Sequence, residues 1–291
     1  DFINWDGSVR TDIIWELFEI IEDFYKHQPG YKAWHTKVRR MIFFDMIYAL
    51  IIVGIDVYSL DHSIPSGHVL TTIINTLYNL YRSVLEYRLL LKTKTPSPII
   101  WCDNYHVLVE FMRAYDIVDV IYKMDIRQYL ANVISYFYGD DLIMSVSDEY
   151  IKFYNYKTIQ MVNKFIGHTY TTSSKSEIID KDCDTFHDAN ILKRSFRWAP
   201  DLSRYVCPLA MEVIVEIPNW IQDSPSAEAE TINNIEVAGR EMSLHSEQEY
   251  NSFTEDYIDI CLKKKLRRPY FQSWRDMRAR ISSGEFMEYL F

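Results

Sequence analysis

The chain has 291 residues, 48% hydrophobic and 25% charged, which supplies material for a sizeable core and argues against a disordered chain. Eight glycines and nine prolines exclude collagen-like and low-complexity architectures, and the 22 tyrosines fit packing as readily as a polymer-binding surface. With 31 Lys and Arg against 41 Asp and Glu the net charge is −10, so any attraction to a polyanion has to be local.

The four cysteines, Cys102, Cys183, Cys207 and Cys261, show no metal-finger spacing and read as reduced, buried thiols. The longest apolar run, residues 46–55, falls far short of the roughly 20 residues that span a bilayer, and no signal peptide precedes it. A chain that opens on Asp and not Met reads as a processed product or a fragment.

Taken in chain order, residues 11–25 place Ile13, Ile14, Leu17, Ile20, Ile21, Phe24 and Tyr25 on one stripe. This predicts an amphipathic helix ended by His27-Gln28-Pro29-Gly30. Residues 41–58 mix aromatic and β-branched side chains around Gly54, and their second half reads as a strand or hairpin. After a turn at Pro65, the positions of Leu70, Ile73, Ile74, Leu77, Leu80, Tyr81 and Val84 predict a long helix that Pro96 and Pro98 terminate. Residues 101–130 read as mostly helical. Residues 135–146 read as two short strands joined by Gly139-Asp140, a pair suited to a tight hairpin turn. A second amphipathic helix is expected over 150–165, stopped by Gly167, and a strand–turn–strand over 189–197.

Composition then shifts. Residues 223–259 hold ten acids against Arg240 alone, and residues 263–280 hold eight Lys or Arg against Asp276 alone. The basic run reads equally as a nucleic-acid contact or as a solvated helix face balancing the acidic stretch. Ser246 and Glu249 have the spacing of a capping box. A domain boundary is placed near Arg197, with a mainly helical C-terminal domain after it.

The strongest chemical signal is Tyr138-Gly139-Asp140-Asp141 between strand-like residues. Two adjacent carboxylates at a hairpin tip repel each other, and a hard divalent cation is their natural partner. Asp1 and Asp6 bracket a short strand end before a helix; Asp1 is the one that can share a metal with Asp140. Ser66 and Gly67 lie in the loop feeding the long helix, on which Thr71 and Asn75 are four apart and share a face. Short polar side chains on a rigid helix suit hydrogen bonding to a sugar hydroxyl. By themselves, Lys175 reads as a solvated loop lysine, and Lys193 and Arg194 as surface charge in a short hairpin.

Together and in this order, these elements resemble the RNA-dependent RNA polymerases of picorna-like positive-strand RNA viruses, especially those of invertebrate hosts. The family's Asp-x4-Asp followed by Gly-Ser matches Asp1 to Ser8. Its Ser-Gly-x3-Thr-x3-Asn matches Ser66, Gly67, Thr71 and Asn75, and its Tyr-Gly-Asp-Asp matches Tyr138 to Asp141. Its Gly and Lys-Ser match Gly167 and Lys175, and its apolar-Leu-Lys-Arg hairpin matches Ile191 to Arg194. The first match is cut at its first Asp, the upstream fingers are missing, and residues 92–127 form a longer connection, expected to be a loop-and-helix insertion.

The resemblance implies an α+β fold: a palm of a small antiparallel sheet backed by helices over 1–197, with 28–64 reaching toward the fingers, and a mainly α-helical thumb over 198–291. It implies template-directed RNA synthesis by two-metal nucleotidyl transfer with Mg²⁺, or Mn²⁺ in its place, held by Asp1, Asp140 and Asp141. Asp6, Ser66, Gly67, Thr71 and Asn75 would bind the nucleotide and its ribose, Lys175 would protonate pyrophosphate, and Lys193 and Arg194 would grip the primer backbone. Implied partners are an RNA template and primer, NTPs, a protein primer and other viral replication proteins. The implied location is the host cytoplasm, at membrane-associated replication complexes. The alternatives are a non-catalytic palm-like nucleic-acid-binding module and a reverse transcriptase. Residues 1–291 alone are expected to be inactive.

Overall fold

A computed structural model describes residues 2–59, 63–65, 67–93, 126–173, 175–221 and 224–284. The chain divides into two compact units, one ending at Cys183 and the other beginning at Asp184.

The first unit opens with strand β1 (Phe2–Ile3) and the short helix α1 (Trp5–Ser8), followed by α2 (Thr11–Lys26) and α3 (Ala33–Ile47). Helix α2 buries Ile13, Ile14, Leu17 and Phe18, whereas Ile20 and Phe24 stand exposed. The expected stripe is therefore shorter than the sequence pattern: Ile20 and Phe24 fall at its edge as the 3.6-residue period advances. Its buried Glu22 accepts from Thr36 and pairs with Arg39, joining α2 to α3. The hairpin of β2 (Leu50–Val53) and β3 (Asp56–Ser59) follows, as the residues around Gly54 predict.

Helix α4 (Thr71–Thr93) is the spine of this unit. It buries Ile74, Tyr78, Leu85, Leu89 and Leu90, together with a polar seam of Asn75, Asn79, Arg82, Ser83 and Glu86. The connection from 94 to 125 lies outside the described residues, so the expected insertion there is not described. Helix α5 (Ile126–Asn132) leads into the hairpin of β4 (Val133–Tyr138) and β5 (Asp141–Val146), which pairs Tyr138 opposite Asp141. Helix α6 (Tyr156–Ile166) begins later than residue 150 because Asn155 caps it: its side chain accepts from the Thr158 amide. Gly167, at φ 93°, ends it as expected. Strand β6 (Thr169–Tyr170) returns to pair with β1, Phe2 opposite Tyr170.

In the second unit β7 (Asn190–Ile191) pairs with β8 (Arg194–Ser195), and β9 (Arg197–Ala199) with β10 (Arg204–Val206). Among the described residues four α-helices follow: α7 (Met211–Glu216), α8 (Ala227–Met242), α9 (Glu247–Lys263) and α10 (Trp274–Ser283). Ala199, Val206, Ile214, Ala238, Met242, Phe253 and Ile281 form their shared core. The Ser246–Glu249 capping box is present at the start of α9.

The described strands pair as small two-stranded antiparallel ladders, in keeping with the expected α+β fold. Arg194 on β8 pairs with Glu241 on α8, which ties that hairpin to the helices after it within the second unit. The expectation of buried thiols is corrected: Cys261 is buried but Cys183 and Cys207 are exposed, all three as free thiols. The basic run faces the acidic stretch within its own unit: Lys263 pairs with Asp259, Arg267 with Glu236 and Arg275 with Glu247.

Candidate active site

The site is built on the first three turns of α4. Gly139 takes φ 63°, the left-handed conformation that the first central residue of a tight hairpin turn demands and that glycine adopts without strain. Helix α4 clasps this turn from below. The Thr76 hydroxyl accepts from the Gly139 amide at 2.8 Å, and the Asn79 amide donates to the Asp140 carbonyl at 2.9 Å and the Gly139 carbonyl at 3.3 Å. Asn79 is in turn held by Arg82, whose Nη2 donates to its Oδ1 at 2.6 Å. Arg82 also bonds Glu86 and, at 2.9 Å, Asn163 of α6, and its guanidinium lies 4.4 Å above the Phe2 ring. The backbone that presents Asp140 and Asp141 is thus fixed by a fully buried polar network. Burial pushes the Glu86 carboxyl up to about 7 against the pull of Arg82.

One turn earlier on the same helix, the Asn75 amide donates to Asp6 Oδ1 at 3.5 Å, a long bond. Asn75 and Asn79 are four residues, or about 6 Å, apart on one helix face, so Asp6 and the Gly-Asp-Asp turn meet at one place. The Asn75 Oδ1 is buried with no hydrogen-bond partner among the described residues, which leaves it an open acceptor there. Asp6 stands on α1, whose close-packed turn needs Gly7: a Cβ there would come within 2.7 Å of the Asn4 side chain.

Strand β6 and the loop after it close the other side. His168 is buried, stacks on Trp5 and bonds Ser8 at 2.8 Å and Tyr78 at 3.0 Å. Lys175, exposed and at φ 62°, brings its Nζ within 3.5 Å of the Phe2 carbonyl on β1.

The expected site residues are therefore placed as follows. Asp6, Asn75 and Asp140 are gathered on α4, with Asp141 on the same turn and Lys175 at β1. Thr71 spends its hydroxyl on the Pro65 carbonyl, at 2.6 Å, and so holds the loop in which Gly67 sits exposed. Asp1 and Ser66 lie outside the described residues. Lys193, with Leu192, forms the tip of the β7–β8 hairpin, both at positive φ as a type I′ turn requires. The Arg194 guanidinium makes two bonds to Glu241, at 2.8 and 2.9 Å, and one to the Cys207 carbonyl, all inside its own unit. Sequence reasoning missed Ser8, Thr76, Asn79 and His168. The spacing of Asn75, Asn79, Arg82 and Glu86 is itself a helical stripe, and that polar periodicity is the signal that could have found Asn79.

Among the described residues no three His, Cys, Asp or Glu side chains converge as a closed metal site. Asp140 and Asp141 supply adjacent carboxylates, and no described residue bonds to the Asp140 carboxylate. An oxygen-only donor set with one unengaged carboxylate fits a hard divalent cation such as Mg²⁺ or Mn²⁺.

A carboxylate-tipped hairpin clasped by a long helix, with a helical unit after it, is the α+β fold of a viral RNA polymerase. The structure of the Sicinivirus 3Dpol RNA dependent RNA polymerase matches this one with a TM-score of 0.65 at 15% identity, covering 96% of this chain and 49% of that one. The chain belongs to the viral RNA-dependent RNA polymerase family, whose model matches residues 1–262. It is 27% identical to the replicase polyprotein of Drosophila C virus over 91% of its own length, and 27% identical to that of acute bee paralysis virus (strain Rothamsted) over 88%. It spans 14% and 12% of those polyproteins.

Proposed function

We propose that this chain carries the catalytic centre for template-directed RNA synthesis in the replication of a picorna-like virus. The observation that carries the reading is the meeting of Asp6 and the Gly139–Asp141 turn on one face of α4, through Asn75, Thr76 and Asn79. We assign the palm, with part of the fingers from 28–64, to the first unit and the thumb to the second.

In the reaction the primer 3′-oxygen attacks the α-phosphorus of an NTP, the bond to pyrophosphate breaks, and the 3′-hydroxyl proton leaves. Asp140 and Asp141, with Asp1, would hold two Mg²⁺ or Mn²⁺ ions, which supply a lowered pKa at the 3′-hydroxyl and charge neutralisation at the triphosphate. Asp6 and Asn75 take the ribose hydroxyls: the buried Asn75 Oδ1 accepts from the 2′-hydroxyl, and deoxyribose would leave it without a donor. Thr71, Gly67 and Ser66 shape the loop beside them. Lys175 delivers a proton to the departing pyrophosphate. Lys193 contacts the primer backbone by charge, and Arg194 supports that hairpin from below. Partners are RNA template, primer and NTPs, with a protein primer and other replication proteins. The work is done in the host cell, at membrane-associated complexes in the cytoplasm, although no described helix is long and apolar enough to cross a membrane.

The reading is tested with the full polymerase on a primed heteropolymeric RNA, supplied with one NTP at a time. Incorporation of the complementary NTP alone, and not its dNTP, is expected. Template-independent incorporation, or equal use of dNTPs, would overturn it.

A further inference from the structure

His168 is occupied at both ring nitrogens, and the direction of each bond can be worked out. The Ser8 hydroxyl donates its one proton to the Trp5 carbonyl at 2.9 Å, so toward His168 Nδ1, 2.8 Å away, it accepts. Nδ1 therefore carries the proton. Burial, with Arg82 and Arg10 adding to it, pushes the imidazole down to about 3, so the ring is neutral and Nε2 offers a lone pair. The Tyr78 hydroxyl donates to that lone pair at 3.0 Å and accepts from the Arg10 amide at 3.2 Å. One directed chain of hydrogen bonds runs Arg10, Tyr78, His168, Ser8, Trp5.

This chain brackets Asp6. Trp5 and Ser8 are the ends of α1, with Asp6 between them, and Arg10 follows it. The Trp5 ring lies stacked on the imidazole at 5.4 Å and edge-on to Tyr78. The Arg82 guanidinium of α4 also lies 5.9 Å from the Trp5 ring centroid, and the Asp6–Asn75 bond adds a long link at 3.5 Å. The buried chain behind Asp6 fixes the short helix that carries it.

We propose that His168 is a positioning residue for sugar discrimination, holding α1 through Ser8 and Tyr78 so that Asp6 stays against Asn75. The proposal rests on the assignment of Asp6 and Asn75 to the ribose. Its substrate class is the ribonucleoside triphosphate, distinguished from the deoxy form by the placing of Asp6 against Asn75. Neutral histidine is suited to this because it donates at one nitrogen and accepts at the other.

The test compares kcat/KM for an NTP and its dNTP in the full polymerase, with Ser8→Ala, His168→Gln, His168→Asn and Asn75→Ala, alongside thermal melting. Ser8→Ala removes the acceptor of the Nδ1–H bond and His168→Gln removes its donor; each is expected to lower the NTP/dNTP ratio by about tenfold, the value of one hydrogen bond. The loss should fall on the NTP alone. His168→Asn, whose amide can occupy the Nδ1 position, should keep most of the ratio. A purely structural role predicts lower melting temperatures and equal losses with both nucleotides, and that result would overturn the proposal. Asn75→Ala separates the two claims. If it leaves the ratio unchanged, the ribose reading fails. If it lowers the ratio while Ser8→Ala and His168→Gln do not, the ribose reading stands and His168 is not its positioning residue.

Discussion

The side-chain amide of Asn79 lies 2.9 Å from the carbonyl oxygen of Asp140, so the backbone of a carboxylate at the hairpin tip is held by a helix side chain four residues beyond Asn75. Electrostatic work in a site is most effective when its groups need no rearrangement at the moment of reaction. The buried Arg82–Glu86–Asn163 cluster behind Asn79 supplies that fixity.

Asn79→Ala removes both amide donors to the turn and leaves the Arg82 Nη2 short of an acceptor. The expected result in steady-state primer extension is a fall in kcat of about 10- to 100-fold, in line with about 1–3 kcal/mol for buried polar groups left unsatisfied. KM for the NTP should change little, because Asn75 and Asp6 are untouched.

The pH dependence of folding separates His168 from Glu86. The folded-state pKa of His168 is depressed from 6.5 to about 3, so its contribution is present above pH 6.5 and is lost as pH falls toward 3. Glu86 is raised from 4.5 to about 7, so its contribution is present below pH 4.5 and is lost as pH rises through 7. Over the interval between, the two slopes oppose. His168→Gln removes only the first. Denaturant titration should show the stability of wild type relative to this variant rising by about 1.4 kcal/mol per pH unit between pH 4.5 and 6. Parallel curves would contradict the burial of His168.

Lys193 and Arg194 are neighbours with different expected roles. Lys193→Ala should weaken primer binding and lower the salt slope of log K by about one ion. Arg194→Ala should chiefly destabilise the second unit, by about 2 kcal/mol as read from denaturant unfolding, because it strands the buried Glu241 carboxylate.

Gly239→Ala probes the core of the second unit. A Cβ at 239 would sit 2.5 Å from the Phe271 ring, and the helix–loop contact has to open to admit it. A destabilisation of about 1–3 kcal/mol is expected by thermal melting.

The elements with strong punctuation were legible in the sequence. Gly139-Asp140 marked its hairpin, Gly167 its helix end and Ser246–Glu249 its cap, because each places a residue of special backbone or capping chemistry at a defined offset. The start of α6 was not legible, since the residues from 150 to 154 continue an apolar pattern and only the Asn155 cap breaks it. Asn75 and the carboxylates stand out in the sequence because their spacing matches known motifs. Asn79 and His168 were passed over because both are buried polar residues whose worth lies in long-range partners, which no local period reveals. The Arg194–Glu241 pair is hidden for the same reason: a free surface cation and one half of an ion pair look alike in sequence until Glu241 is in place.

The most direct measurement is primer extension by the full polymerase bearing Asp140→Asn, a substitution that keeps the shape of the side chain and the backbone bonds to Asn79 and Thr76 while removing its charge. The melting temperature should be unchanged and RNA synthesis should fall at least about 1000-fold, as the loss of a principal charge-stabilising group requires. Synthesis within tenfold of wild type, by a protein that melts normally, would contradict the placing of the catalytic centre at this turn.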